Sequence, residues 1–93
     1  MPESFESVVV VGSPLGLHSR PAAEIVRLAS SYHADLTLSR EDRSGSCADC
    51  RSILALLVLA ATQGTRLVLR GTGEEAGKAV KAVAEYFAGN FNE

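Results

Sequence analysis

His18 sits in the segment Gly16-Leu17-His18-Ser19-Arg20-Pro21-Ala22, just ahead of a helix that Pro21 begins. The first N–H groups of a helix lack intrahelical partners and carry the positive end of its dipole. An anion held there is stabilised. An imidazole at that spot can act as a nucleophile, and backbone donors would meet a phosphoryl group attached to it. Arg20 adds a planar guanidinium that can pair phosphate oxygens two at a time. Gly16 lets the chain turn tightly in front of the ring. The plain structural alternative is a surface histidine capping an ordinary helix. The company of Gly, Arg and Pro in this register favours chemistry.

Three further groups bear on function. Ser52 opens a second helix and is a good N-cap. Beyond it runs Ile53 to Ala61, nine apolar residues. Leu56, with Val58 or Leu59 according to helix phase, would serve the core. Some of Ile53, Leu54 and Leu57 would then be exposed beside His18, and an exposed apolar patch marks a docking surface. A fully buried helix is the alternative. Cys47-Ala48-Asp49-Cys50 has the spacing of a redox pair or half a zinc site. There is no second such pair, and only His18 and His33 could complete a metal site. On a strand, residues three apart face opposite ways. Two small structural residues are the better reading, and no metal or other cofactor is expected. His33 follows a helix end and is assigned no role, while Glu24, Arg27 and Glu85 read as solvated helix faces.

The elements that must position these groups follow from periodicity. Phe5 to Val11, with four consecutive valines, is a short buried strand. Gly12-Ser13-Pro14 ends it. Pro21 to about Tyr32 is helical, with Ala22, Ile25, Val26 and Ala29 on one face. Leu36 and Leu38 alternate with polar residues as a half-buried strand. Arg40 to Ser46 is a charged hairpin loop, and a short strand around Ser46–Cys50 completes the hairpin. The Ser52 helix should run to about Ala61 and stop at Gln63-Gly64. Thr65 to Arg70 is a strand with Leu67 and Leu69 on one face. Gly71-Thr72-Gly73 is a turn. Thr72 or Gly73 caps a third helix from Glu74, with Ala76, Val80, Val83, Ala84 and Phe87 as its apolar stripe. The tail from Gly89 to Glu93 is expected to fray, with Phe91 as its anchor. The order β-α-β-β-α-β-α is α+β: a four-stranded, mainly antiparallel sheet with helices on one face.

Composition narrows the function classes. The chain has 93 residues, 46% hydrophobic and 22% charged, which is ordinary globular usage for one domain, taken as residues 1–93. Its net charge of −2 and lack of a basic tract give nucleic acid no electrostatic footprint. Two cysteines do not make a disulfide scaffold. No secretory signal opens the chain. Nine apolar residues fall short of the ~20 that a membrane span needs. A cytoplasmic protein that does not insert into membranes is expected.

The His18 segment resembles the active-site signature of the HPr family, the histidine phosphocarriers of the bacterial phosphotransferase system. The usual motif there is Gly-Leu-His-Ala-Arg-Pro-Ala, and Ser19 stands in place of the Ala that follows the His. Arg51-Ser52-Ile53-Leu54-Ala55-Leu56 is similar to the family's second signature, with Ala55 where Gly is common. The stretch from Leu56 to Thr65 and the ending Phe91-Asn92-Glu93 resemble the nitrogen-branch, NPr-like members. The element order agrees over nearly the whole chain, which implies an HPr-like open-faced sandwich. The hairpin tip and its two cysteines depart from the family.

That resemblance implies the following. His18 takes a phosphoryl group from phosphorylated enzyme I on Nδ1 and passes it to a histidine of an enzyme IIA-type protein. His18, Ser19 and Arg20 hold the phosphate, with His18 and Arg20 doing the chemistry. Ile53, Leu54 and Leu57 dock the partners. Ser52 is a site of regulatory phosphorylation by an HPr kinase/phosphorylase. The chain is a carrier rather than a stand-alone catalyst, in sugar uptake or nitrogen signalling, and a monomer is expected. An imidazole in water titrates near about 6.5, so a neutral nucleophile is on hand at cytosolic pH. Transfer is then largely a matter of positioning and charge stabilisation. The competing readings are a regulatory binding module acting through Ser52, a thiol or metal protein using Cys47 and Cys50, and a small-ligand-binding domain.

Overall fold

The computed structural model describes residues 4–93. Seven regular elements follow in the expected order: β1 (Ser4–Val10), α1 (Ser19–Ser30), β2 (Asp35–Arg40), β3 (Ala48–Asp49), α2 (Ile53–Val58), β4 (Arg66–Thr72) and α3 (Ala76–Ala88), with a 3-10 turn at Asn90–Asn92. The sheet order is β1-β4-β2-β3. Every pairing is antiparallel, so the expected "mainly" becomes "wholly".

Alternation decides which face of the sheet is covered. Leu36 and Leu38 of β2 and Leu67 and Leu69 of β4 are fully buried on the inner face. Each buried leucine contributes about 1.5–3 kcal/mol of hydrophobic stabilisation. Glu6, Val8 and Arg70 lie on the outer, open face, where Val8 pairs with Val68 and Glu6 with Arg70. The three helices cover the inner face. α3 packs on β1 and β4, and α1 packs against both α2 and α3. Ala22, Ile25 and Ala29 of α1 and Ala79 and Val83 of α3 are fully buried at these contacts.

Several local expectations are corrected. Gly71 and Thr72 belong to β4 rather than to a turn. Gly71 is needed where α3 crosses the sheet, because a Cβ there would lie 2.7 Å from both Leu36 Cδ2 and Val80 Cγ2. α3 begins at Ala76, with Glu75 as its N-cap residue, so neither Thr72 nor Gly73 caps it. Glu75 instead ties α3 to the end of α1. Its side chain accepts a hydrogen bond from His33 N–H at 2.8 Å, and its own N–H donates to the His33 carbonyl at 2.9 Å.

α2 stops at Val58, three residues short of the expected Ala61, because Ala60 turns into the left-handed region at φ 52°. Arg40 closes that end. The sequence pattern puts it in a charged loop, but it lies in β2, and its Nη1 donates to the Leu59 and Ala60 carbonyls, both at 3.0 Å. Asp42 holds the other side of the guanidinium. β3 is reduced to Ala48–Asp49, since only Thr37 and Leu38 of β2 find partners there.

Candidate functional site

α1 starts two residues earlier than Pro21 suggested, and this changes what His18 is. His18 is the N-cap residue, in extended conformation, and its carbonyl receives the Ala22 N–H at 3.0 Å. Ser19, Arg20 and Pro21 form the first turn. The Ser19 and Arg20 N–H groups have no carbonyl four residues back inside the helix, and Pro21 has no N–H to leave unsatisfied. His18 therefore sits at the positive end of the helix, next to backbone donors that lack intrahelical partners. Ser19 and Arg20 are exposed, and His18 is partly exposed, with 28% of its side chain open to solvent. A partner can reach the ring, and the Arg20 guanidinium is free to swing towards an anion on it.

The loop before His18 is fastened from below. Leu17 is buried, and its N–H donates to the Ala61 carbonyl at 2.9 Å. Gly16 has φ +70°, and a Cβ on it would come within 2.6 Å of that same carbonyl. The tight turn thus needs glycine for two reasons, conformation and space. These contacts bind the His18 loop to the segment that leaves α2.

The remaining contact to the ring comes from the far end of the chain. His18 Nε2 lies 3.0 Å from Glu93 Oε2. The tail does not fray as expected. Phe91 is buried, with its ring 5.0 Å from Phe87 and 5.2 Å from Tyr86, centroid to centroid. The nearby Ser13 hydroxyl, then the His18 ring and the Arg20 charge, favour the charged form and hold the Glu93 carboxyl below its usual range. Glu93 escaped the sequence reading because five residues carry no periodicity. A buried aromatic two positions away was the one available signal.

Ser52 caps α2 as expected, its hydroxyl accepting the Ala55 N–H at 3.1 Å. Arg51, just before it, reaches back to the Ala34 carbonyl and pairs with Asp35 at 3.2 Å. Leu56 is fully buried and Leu59 nearly so, which settles the helix phase. Ile53, Leu54 and Leu57 are all exposed, and Val58 joins them at 71%. A short helix thus presents four large apolar side chains to solvent, more than the isolated apolar residue any surface carries. Leu15, in the loop before His18, is 72% exposed as well.

The two thiols are free and differently placed. Cys47 is exposed, whereas Cys50 is buried in the core. Burial, with the nearby Asp49 charge and Cys47 as lesser causes, pushes the Cys50 thiol up to about 12. A redox motif needs an accessible, acidified thiol, and Cys50 is the reverse. Glu24 and Arg27 pair with each other on the α1 surface.

A partly open imidazole caps a helix on an antiparallel open-faced sandwich, the fold and site arrangement of the phosphocarriers to which the chain is similar. Residues 5–89 match the family model described as "PTS HPr component phosphorylation site". The chain is 36% identical over 89 residues to a phosphocarrier protein HPr of Xylella fastidiosa, covering 96% of this chain and 97% of that one. It is 30% identical over 90 residues to a phosphocarrier protein NPr of Klebsiella oxytoca, covering 97% and 98%. The crystal structure of HPr-C-His from Thermoanaerobacter tengcongensis superposes with a TM-score of 0.86 at 26% identity, over 96% of this chain and 97% of that one. The chain belongs to the HPr family and is a histidine phosphocarrier of the phosphotransferase system.

Proposed function

We propose that His18 is the residue that carries the phosphoryl group, taken from a phosphorylated enzyme I-type donor and passed to an enzyme IIA-type acceptor. The observation that carries this reading is the place of His18: it caps α1, it is partly open to solvent, and Arg20 lies in the first turn beside it. An incoming phosphoryl group would find the Ser19 and Arg20 backbone donors and the Arg20 guanidinium together. Both the donor and the acceptor are proteins that must reach the same ring, and the exposed Ile53, Leu54 and Leu57 of α2 supply a surface for them. The loop before the ring is hydrogen-bonded to the segment leaving α2, so docking on that helix would set the distance for transfer.

In this reading residues 1–93 act as one domain, as a monomeric carrier in the cytoplasm. No helix among the described residues is long and apolar enough to cross a membrane. Ser52 serves first as the α2 cap. A phosphate on it, from an HPr kinase/phosphorylase, would replace a neutral hydroxyl by nearly two negative charges beside the docking residues and repel an acidic partner face.

The deciding experiment is transfer of label from phosphoenolpyruvate through enzyme I to the wild type and to His18→Ala. Acid-labile, alkali-stable label on the wild type that vanishes in the variant is the expected result. An unlabelled wild type, folded and with its cognate enzyme I present, would remove His18 from the role.

A further inference from the structure

We propose that β1 is a pairing edge for a second copy of this chain: two β1 strands join antiparallel about Val8 and fuse their four-stranded sheets into one. This pairing goes beyond the carrier reading and does not depend on it.

The two edges of the sheet are unlike. β3 ends one side with two residues, Ala48–Asp49. β1 ends the other with seven, Ser4–Val10, in an unbroken register from Ser4 opposite Thr72 to Val10 opposite Arg66. Edges are normally blunted by Lys, Pro, a bulge or brevity. The segment Ser-Phe-Glu-Ser-Val-Val-Val uses none of these.

Hydrogen bonding shows which groups this edge offers. Val11 bonds into the sheet: its N–H donates to the Thr65 carbonyl at 3.0 Å, and its carbonyl receives the Gly64 N–H at 2.7 Å. Antiparallel ladders alternate, so Val9 and Ser7 also bond towards β4, while Val10, Val8 and Glu6 turn their N–H and C=O outward. The same alternation holds one strand on. Arg66, opposite Val10, turns its carbonyl the other way and accepts from Glu41 N–H, just past β2, at 3.1 Å. The side chains of Glu6, Val8 and Val10 stand exposed on the open face.

That surface complements itself. Setting Val8 opposite Val8 puts Glu6 opposite Val10 in both directions, so all three offered residues of each strand find partners, with about six backbone hydrogen bonds in the seam. Val68 and Val8 of both copies then form one apolar row across the open face. Like charges do not meet. Each Glu6, held by its own Arg70, faces Val10 of the other copy, and Arg66 lies beyond it. Cross-strand pairs of β-branched residues and of opposite charges are the stabilising ones.

The inner side supplies room. A groove of about 400 Å³ runs between β1 and the end of α3, lined by Val8, Val10, Ala84, Phe87, Ala88 and Asn90. Alternation directs Phe5 and Ser7 of the second copy over it. Asn90 Oδ1 is buried there without a hydrogen-bond partner among the described residues, 2.8 Å from where a Cβ on Gly12 would stand. The same register sets Ser4 of the second copy opposite Gly12, and its hydroxyl is a donor for that oxygen. α3 packs on β1 and β4, so with strands about 4.8 Å apart the two α3 helices would lie about 10 Å apart, a helix-packing distance. α2 packs on β3 at the far edge and stays open in the pair. The single carrier chain and the pair are then two states set by concentration.

The test is sedimentation of the full chain from micromolar to millimolar concentration, for the wild type, Val8→Lys, Val8→Glu and Leu54→Glu, with circular dichroism to confirm that each is folded. The wild type should move from the mass of one chain to that of two. Val8→Lys should raise the midpoint concentration at least about tenfold, because like charges meet on the two-fold axis. An equimolar mixture of Val8→Lys and Val8→Glu should regain the wild-type midpoint, and Leu54→Glu should leave it unchanged. In the wild type alone, the amides of Glu6, Val8 and Val10 should gain exchange protection as concentration rises. A wild type of one-chain mass at millimolar concentration would overturn the proposal. A two-chain species that survives Val8→Lys but is lost in Leu54→Glu would do so as well, since it would place the contact on α2.

Discussion

The Arg40 guanidinium donates to the carbonyls of both Leu59 and Ala60, and so ends a helix that lies nineteen and twenty residues further along the chain. α2 is only six residues long, and a helix of that length has little stability of its own. It is held at the front by Ser52 and at the back by Arg40. Replacing Arg40 with alanine strips the rear carbonyls of their donors. The melting temperature should drop by several degrees in a thermal scan, and transfer to an acceptor protein should weaken as the proposed docking helix frays.

Gly16→Ala tests the turn before His18. The added methyl would need a left-handed conformation and would meet the Ala61 carbonyl at 2.6 Å. Together these cost about 2 kcal/mol or more. Urea unfolding should show that loss, and phosphorylation of the variant should slow as the ring loses its register with the α1 N-terminus.

Leu54 and Leu56 are two residues apart and should behave oppositely. Leu56 is fully buried and Leu54 is 72% exposed. Leu56→Ala should lower stability by about 2–5 kcal/mol. Leu54→Ala should change it by less than about 0.5 kcal/mol. In calorimetric titration with enzyme I or an acceptor, however, Leu54→Ala should bind more weakly. Equal effects of the two on stability would contradict the observed helix phase.

The thiols should separate cleanly. A colorimetric thiol reagent at pH 8 should react quickly with exposed Cys47 and leave Cys50 untouched in the native protein. Cys50 is buried and its thiolate is reached only near pH 12, so it should react once the chain is unfolded. Two fast thiols in the native state would mean that β3 opens readily.

The tail contact should be robust to mild acid. The folded-state pKa of Glu93 is lowered from 4.5, so its contribution is fully present above that value and is lost as pH falls through the lowered one. Ser13, His18, Arg20 and Tyr86 are the groups near it. Amide exchange at Asn92, whose N–H donates to the Gly89 carbonyl at 3.0 Å, should stay protected at pH 5 and rise only well below the usual carboxylate range. Exchange that rises already at pH 6 would show that Glu93 does not hold the tail.

The parts of this molecule legible in its sequence are those written locally. Alternation placed Leu36, Leu38, Leu67 and Leu69 inward, and Ser52 announced a helix start. The motif around His18 pointed to the HPr family without any structure, and the family match bears that out. The errors lie where distant residues decide. The α2 terminus depends on Arg40 and on a left-handed Ala60, neither of which interrupts an apolar run. Gly71 looked like a turn residue, yet its role is to let Val80 of α3 approach Leu36 across the strand. Glu93 reads as one more acidic tail residue until the chain is folded.

The apolar face of α2 has a consequence for timing. Its two caps are already in place, so a partner need not order this helix on arrival, and little conformational entropy is lost in the encounter. Four side chains on less than two turns of helix also make a small contact. Small, preformed contacts form quickly and release quickly, since affinity differences are expressed mostly in the off-rate. A shuttle that must leave one protein before it can meet the next is limited by residence time, and partners docking on this face, as proposed, would have a short one.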